Sequence, residues 1–295
     1  MEPAPRKNIF LFIILIILAL EAVLFSVGNE KLNLAFLKEE NRLMEVQSAL
    51  AGIPIQAKAF SIYDRTLNRK IYGRNDEIAL PIASLTKIMT VAIALNNHEA
   101  DDIVLVRSDA IKQEGDYGFF VDEKFKTKDL AEFTLVGSAN DGAYALAEDD
   151  GDFLEKMNNK AQKIGTESAL FLNFTGLDID GNKAGAYASA QDMNLIAIYA
   201  LERYQDVFGA TVLPELRTRS ESGFFHSVKN TNIILDKIPG ILFSKTGITP
   251  LAKGNLTVIY KNKYEHIIAI TILGSTPEGR FSDAGKIIDT LAEIY

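Results

Sequence analysis

Three short polar clusters, set far apart along the chain, constrain its fold more than any other feature. They are Ser84-Leu85-Thr86-Lys87, Ser138-Ala139-Asn140 and Lys245-Thr246-Gly247. Each is weak alone, because a serine three residues before a lysine recurs by chance. Together they supply a nucleophile, a base, a second hydroxyl, an amide and a fixed cation, provided one cleft holds all three. Early and late segments must therefore lie side by side. Ala57 to Tyr63 and Arg69 to Tyr72 read as strands around a polar turn, and Asn255 to Tyr260 and His266 to Leu273 read as a late hairpin. Between them, Asp141 to Glu148, Phe153 to Ile164 and Asp192 to Tyr204 carry helical patterns, and Ala284 to Ile294 closes the chain as an amphipathic helix. The expected class is α/β (α+β): an antiparallel sheet from both chain ends, flanked by helices, with a helical insert.

The chemistry of the clusters follows from their spacing. Pro81 breaks the chain, and a helix starts close after it. Leu85, Ile88, Met89 and Ala92 form its core-facing stripe. Ser84 and Lys87 are then neighbours on one helix face. Serine is a poor nucleophile until a base takes its proton, and lysine is a base only when neutral. Burial beside the stripe, and Lys245 if it lines the same cleft, would both depress the Lys87 pKa. A merely exposed Ser-Lys pair leaves unexplained a cation in the first turn, where the helix dipole disfavours it. Ser138 and Asn140 diverge on a helix and need a loop, which Gly137 and Asp141-Gly142 permit. There Ser138 can pass a proton to a departing amine and Asn140 can bond a substrate amide. Capping of the following helix accounts for one of these residues, not the set. Ile241 to Thr246 reads as a strand on which Lys245 and Thr246 suit a substrate carboxylate. Gly247 lets the backbone approach closely, and N–H donors there and at Ser84 can form an oxyanion hole.

Composition narrows the classes further. The chain has 295 residues and a net charge of −8, which argues against a nucleic-acid surface. It has no cysteine, so disulfides and thiolate metal sites are excluded. His98, His226 and His266 are scattered without metal-ligand spacing. At the N-terminus Arg6 and Lys7 precede an apolar run from Ile9 to Leu20 that resumes after Glu21 through Val27. A membrane anchor is favoured over a cleaved signal, since no small-x-small site follows the run. The preceding charges orient the rest of the chain to the extracytoplasmic side. The expected layout is a membrane segment over 1–28, a juxtamembrane helix or linker over 29–52 and one catalytic domain over 53–295.

The motifs and their contexts resemble the D-alanyl-D-alanine carboxypeptidases of the low-molecular-mass penicillin-binding protein type. The resemblance runs from about Ile55 to Leu273. It includes Ala83-Ser84-Leu85-Thr86-Lys87-Ile88-Met89-Thr90, Ser138 to Gly142, Lys245 to Thr249, Phe171 to Asp178 and Ser189 to Met193. It implies the β-lactamase/penicillin-binding-protein transpeptidase-like fold and an acyl-enzyme on Ser84, with Lys87 as base. Ser138 would relay a proton to the leaving D-alanine, Asn140 would orient the peptide, and Lys245 and Thr246 would hold the terminal carboxylate. The N–H groups of Ser84 and Ile248 would form the oxyanion hole. The implied substrate is the D-Ala-D-Ala end of peptidoglycan stem peptides, the implied inhibitors are β-lactams, and no metal or organic cofactor is expected. Departures are Phe174 where proline is usual, a missing histidine before Ser189, and Lys253 at a usually small position. Many relatives sit on the membrane through a C-terminal β-domain and helix; here the N-terminal segment is expected to serve. Two alternatives share the motifs. A class A-like β-lactamase would need Glu167 as a water-activating base, although the expected asparagine after Leu170 is absent. A catalytically silent peptidoglycan-binding scaffold would leave the full set of catalytic residue types unexplained.

Overall fold

The computed structural model describes residues 37–115 and 117–295. The anchor expected over 1–28 lies outside the described residues, and among those described no helix is long and apolar enough to cross a membrane. A five-stranded antiparallel sheet organises the chain, in the order Ile241–Thr249, Lys253–Lys261, Ile267–Ser275, Ala59–Asp64, Arg69–Arg74. The two chain ends meet where Ala59–Asp64 pairs with Ile267–Ser275, Ala59 opposite Leu273 and Asp64 opposite Ile268. This is the sheet expected from the sequence.

Both faces of the sheet are covered, so its strands are apolar on both sides. Along Ile267–Ser275, Ile268, Ile270 and Ile272 join a layer with Phe60, Ile62 and the helix Gly279–Ile294. The alternate residues Ala269 and Leu273 join the opposite layer, with the helices Thr86–Asn97 and Ala190–Arg203. The second layer extends into a helical region holding Thr127–Gly137, Asn140–Ala145 and Phe153–Ile164, which is the expected insert. Two short hairpins went unread in the sequence, Ile103–Val106 with Glu123–Lys126 and Glu215–Arg219 with Phe225–Lys229. Their strands are four or five residues long and mostly charged or half-exposed, too short for an alternation to register.

The segment expected over 29–52 as a juxtamembrane helix or linker packs, from residue 37 onward, into the body of the domain. Residues 37–52 are helical, and Val46 and Leu50 are fully buried beside Phe60, Ile71 and Leu291. Its charges are not merely solvated: Glu39 accepts from Arg69 at 2.8 Å, and Arg42 donates to the carbonyls of Ile294 and Tyr295. The apolar signal is thin because only Leu43, Val46 and Leu50 face the sheet layer. Val46→Ala and Leu50→Ala should each cost about 2–4 kcal/mol, Leu50→Ala the more, in denaturant melts. A free linker would leave both melts unchanged.

Candidate active site

The nucleophile candidate sits where a strained turn enters a helix. Ser84 lies on the 3-10 turn Ala83–Leu85, which runs straight into Thr86–Asn97. Ala83, fully buried, has φ +49, a left-handed value that costs an L-residue of order 1 kcal/mol. The turn is braced by Gly176, itself at φ +82, where a Cβ would collide with the Ala83 carbonyl.

Lys87 is fully buried, and its Nζ lies 2.9 Å from Ser84 Oγ, 2.7 Å from Asn140 Oδ1 and 2.7 Å from the Thr175 carbonyl. The last two are acceptors with no proton to give. A neutral amine spends its two N–H groups on them, which leaves its lone pair for the one partner that carries a proton, the Ser84 hydroxyl. Burial brings Lys87 down to about 7, against the opposing pull of the Asp141 carboxylate. The helix stripe thus supplies the desolvation expected of it.

Ser138 and Asn140 occupy the junction of two helices. Ser138 caps Thr127–Gly137 in the left-handed region (φ 62, ψ 33), Ala139 is extended, and Asn140 opens Asn140–Ala145. The loop required by their spacing is therefore one turn wide. Asn140 Nδ2 donates to the Glu114 carbonyl at 2.7 Å, so the side chain is held at both ends. Ala139 stands at the N-cap of the second helix, so neither Ser138 nor Asn140 occupies the capping position, and Asp141 Oδ1 accepts from the first-turn Gly142 N–H at 2.7 Å.

Lys245 lies on the edge strand Ile241–Thr249, almost fully buried, and its Nζ donates to Ser138 Oγ at 2.8 Å. Burial pushes it well below the usual lysine value, and the charges of Lys87 and Arg280 push the same way. The like-charge effect expected on Lys87 thus bears on Lys245. Thr246 Oγ1 shares a 2.6 Å hydrogen bond with Thr231 Oγ1. A Cβ on Gly247 would lie 2.8 Å from the Ile82 carbonyl and 3.2 Å from Ser84 N, so only glycine lets this strand stand against the nucleophile turn. Ile248 is half exposed beside a groove of about 740 Å³ that Glu114, Leu177, Asp178, Thr249 and Lys253 also line. All eight expected site residues are thus drawn into one neighbourhood, in which three basic side chains, Lys87, Lys245 and Arg280, are buried.

Glu167 is exposed, and its N–H is tied to the Asp192 carboxylate at the start of Ala190–Arg203. It has no hydrogen bond to Ser84, Lys87 or Asn140 among the described residues. Phe174 fills its unusual position by packing against Tyr144 and Phe153 while its carbonyl accepts from Thr90. Lys253 has φ 59, which explains why a small residue suits that place. Sequence reasoning missed Arg280, whose Nη1 donates to the Gly247 carbonyl at 2.7 Å, as well as Thr231 and Thr175. Thr175 lies in the Phe171 to Asp178 segment, which carried a signal; Thr231 and Arg280 lie in no motif.

A family model described as D-alanyl-D-alanine carboxypeptidase matches residues 44–276. The D-alanyl-D-alanine carboxypeptidase DacF of Bacillus subtilis is 30% identical over 81% of this chain and 63% of its own length. A D-alanyl-D-alanine endopeptidase of Pseudomonas aeruginosa is 26% identical over 68% of this chain and 66% of its own. The chain thus spans just under two thirds of the length of these curated relatives. In structure it is similar to penicillin-binding protein D2 of Listeria monocytogenes in a cefotaxime-bound form, with TM-score 0.70 and 28% identity, covering 81% of this chain and 98% of that one. With most of its length matched by the family model, the chain belongs to the D-alanyl-D-alanine carboxypeptidase family.

Proposed function

We propose that the chain is a serine-type D-alanyl-D-alanine carboxypeptidase that acts on peptidoglycan stem peptides through an acyl-enzyme at Ser84. The observation that carries this reading is the environment of Lys87, whose two proton-less acceptors leave its lone pair to Ser84. Neutral Lys87 takes the Ser84 proton as Oγ attacks the carbonyl of the penultimate D-alanine. The N–H groups of Ser84 and Ile248 receive the negative charge that develops on the carbonyl oxygen. Collapse breaks the C–N bond, Ser138 relays to the leaving amine the proton that Lys87 took, and water then hydrolyses the Ser84 ester, one of its protons returning to Ser84 Oγ. Lys245 and Thr246 hold the terminal carboxylate, and Asn140 orients the peptide. β-Lactams, which also present a carboxylate and a strained amide, acylate the same serine. The domain begins with the helix over 37–52, and residues 1–28 anchor it at the extracytoplasmic face of the membrane. The exposure of Glu167 favours a lasting acyl-enzyme over β-lactamase turnover.

Release of D-alanine from a stem pentapeptide tests the activity. The pH dependence tests the base. With Lys87 near 7 in the folded protein, acylation by a fluorescent penicillin should fall about tenfold per pH unit below that value and level off above it. A rate independent of pH between 5 and 8 contradicts the role of Lys87. The same group sets a stability slope. Its folded pKa lies below the ordinary 10.5, so between about 7 and 10.5 the unfolded chain holds the extra proton. Its contribution to stability therefore rises with pH across that window and is constant below it.

A further inference from the structure

Arg280 comes from outside the three motifs, on the first turn of Gly279–Ile294, and its side chain is buried against the motif strand. Its Nη1 donates to the Gly247 carbonyl at 2.7 Å, and its Nε is buried with no partner among the described residues. A buried guanidinium with part of its donor fork idle is costly in a core. Its charge also disfavours the ammonium of Lys245. The guanidinium also lies over the Phe281 ring, 4.7 Å from its centroid, a contact that leaves its N–H donors free for the strand.

The carbonyl that Arg280 holds belongs to the peptide linking Gly247 to Ile248. That peptide is trans, so its C=O and N–H point in opposite directions from one rigid plane. Fixing the carbonyl on Arg280 therefore fixes the Ile248 N–H on the far side of the strand. The same glycine stands against the nucleophile turn, since a Cβ on it would lie 3.2 Å from Ser84 N. Ile241–Thr249 is an edge strand, so N–H groups on its outer side have no ladder partner. A charge-assisted bond to a carbonyl also polarises its peptide and makes the N–H a stronger donor.

We propose that Arg280 is a positioning residue: by holding the Gly247 carbonyl it aims and strengthens the Ile248 N–H as one of two oxyanion donors, the other being the Ser84 N–H. This rests on the reading of Ser84 as an acylated nucleophile. It differs from a contact with substrate, because the guanidinium acts through a backbone plane.

The test uses the full chain and its Arg280→Gln and Arg280→Lys variants. Acylation by benzylpenicillin is followed over a range of concentrations, so that the encounter constant and the acylation rate constant separate. The infrared band of the acyl-enzyme ester carbonyl is then recorded. Removing an oxyanion donor outright costs about 10²–10³ in rate, so a misaimed one should cost about 10- to 100-fold. We expect that loss in the acylation rate constant of Arg280→Gln, with the encounter constant unchanged and the ester band shifted to higher wavenumber. Arg280→Lys, which keeps a charged donor, should recover part of both. If Arg280→Gln does not fold, Arg280→Lys carries the test through a smaller shift of rate and band together. A parent-like rate and band in a folded variant overturns the proposal. So does a loss confined to the encounter constant, which would put Arg280 on the substrate itself. A parent chain that is never acylated overturns the reading of Ser84 instead.

Discussion

Ser84→Ala should abolish covalent labelling by penicillin and cut D-alanine release at least about 10³-fold, the scale seen when a catalytic serine is removed. The loss should come without unfolding. Ser84 is only half-buried, and among the described residues its Oγ has a single side-chain hydrogen-bond partner, Lys87 Nζ. Lys87 keeps Asn140 and Thr175 as acceptors in the variant, so its burial remains supported. Melting temperatures of the two proteins should agree to within a degree or two. A variant that melts like the parent and still forms a penicillin adduct removes Ser84 from the chemistry. A variant that fails to fold shows instead that the serine braces the turn.

Gly176→Ala should give the largest loss of stability among single-methyl changes near the site. Two effects add. Gly176 has φ +82, a backbone conformation that an alanine adopts only under strain. The new Cβ would also meet the Ala83 carbonyl and lie 2.6 Å from Thr86 Oγ1. The carbonyl belongs to the turn that presents Ser84, and it already accepts from Thr86 Oγ1 at 2.7 Å, so it cannot yield without moving the nucleophile. A destabilisation of about 3 kcal/mol or more is expected, read as a fall in Tm of several degrees. Below that lower Tm, acylation should still be slow by about 10²-fold, because displacement of a reacting atom by about 1 Å costs that much. Thermal melts and penicillin labelling of the same sample check both halves. A variant as stable and as reactive as its parent would mean the turn is not braced from this side.

Both the three motifs and the sheet built from the two chain ends are legible in the sequence. Ser84 and Lys87 declare themselves through spacing, and the apolar stripe around them forecasts the burial that lowers Lys87. The two-ended sheet is also legible, because two of its nine-residue strands, Lys253–Lys261 and Ile267–Ser275, are apolar and regular. What stayed hidden depends on contacts between distant residues. Arg280 lies ahead of the place where periodicity starts its helix, and nothing local reveals that its guanidinium reaches the Gly247 carbonyl. Thr175 contributes a backbone carbonyl to Lys87, and a carbonyl has no residue type to read. The sequence leaves the segment over 37–52 open between helix and linker, because its charges outnumber the few residues it buries. Its Arg42 and Glu39 find partners far along the chain that only the folded structure brings near.

The most direct test of the acyl-enzyme account is mass spectrometry of the full chain, quenched during incubation with benzylpenicillin and digested with trypsin. The account predicts one adduct with the mass of the intact penicillin, on the peptide spanning 75–87, fragmenting to Ser84 and persisting after free penicillin is removed. An adduct on any other peptide, or hydrolysis of the penicillin with no adduct at all, would contradict it.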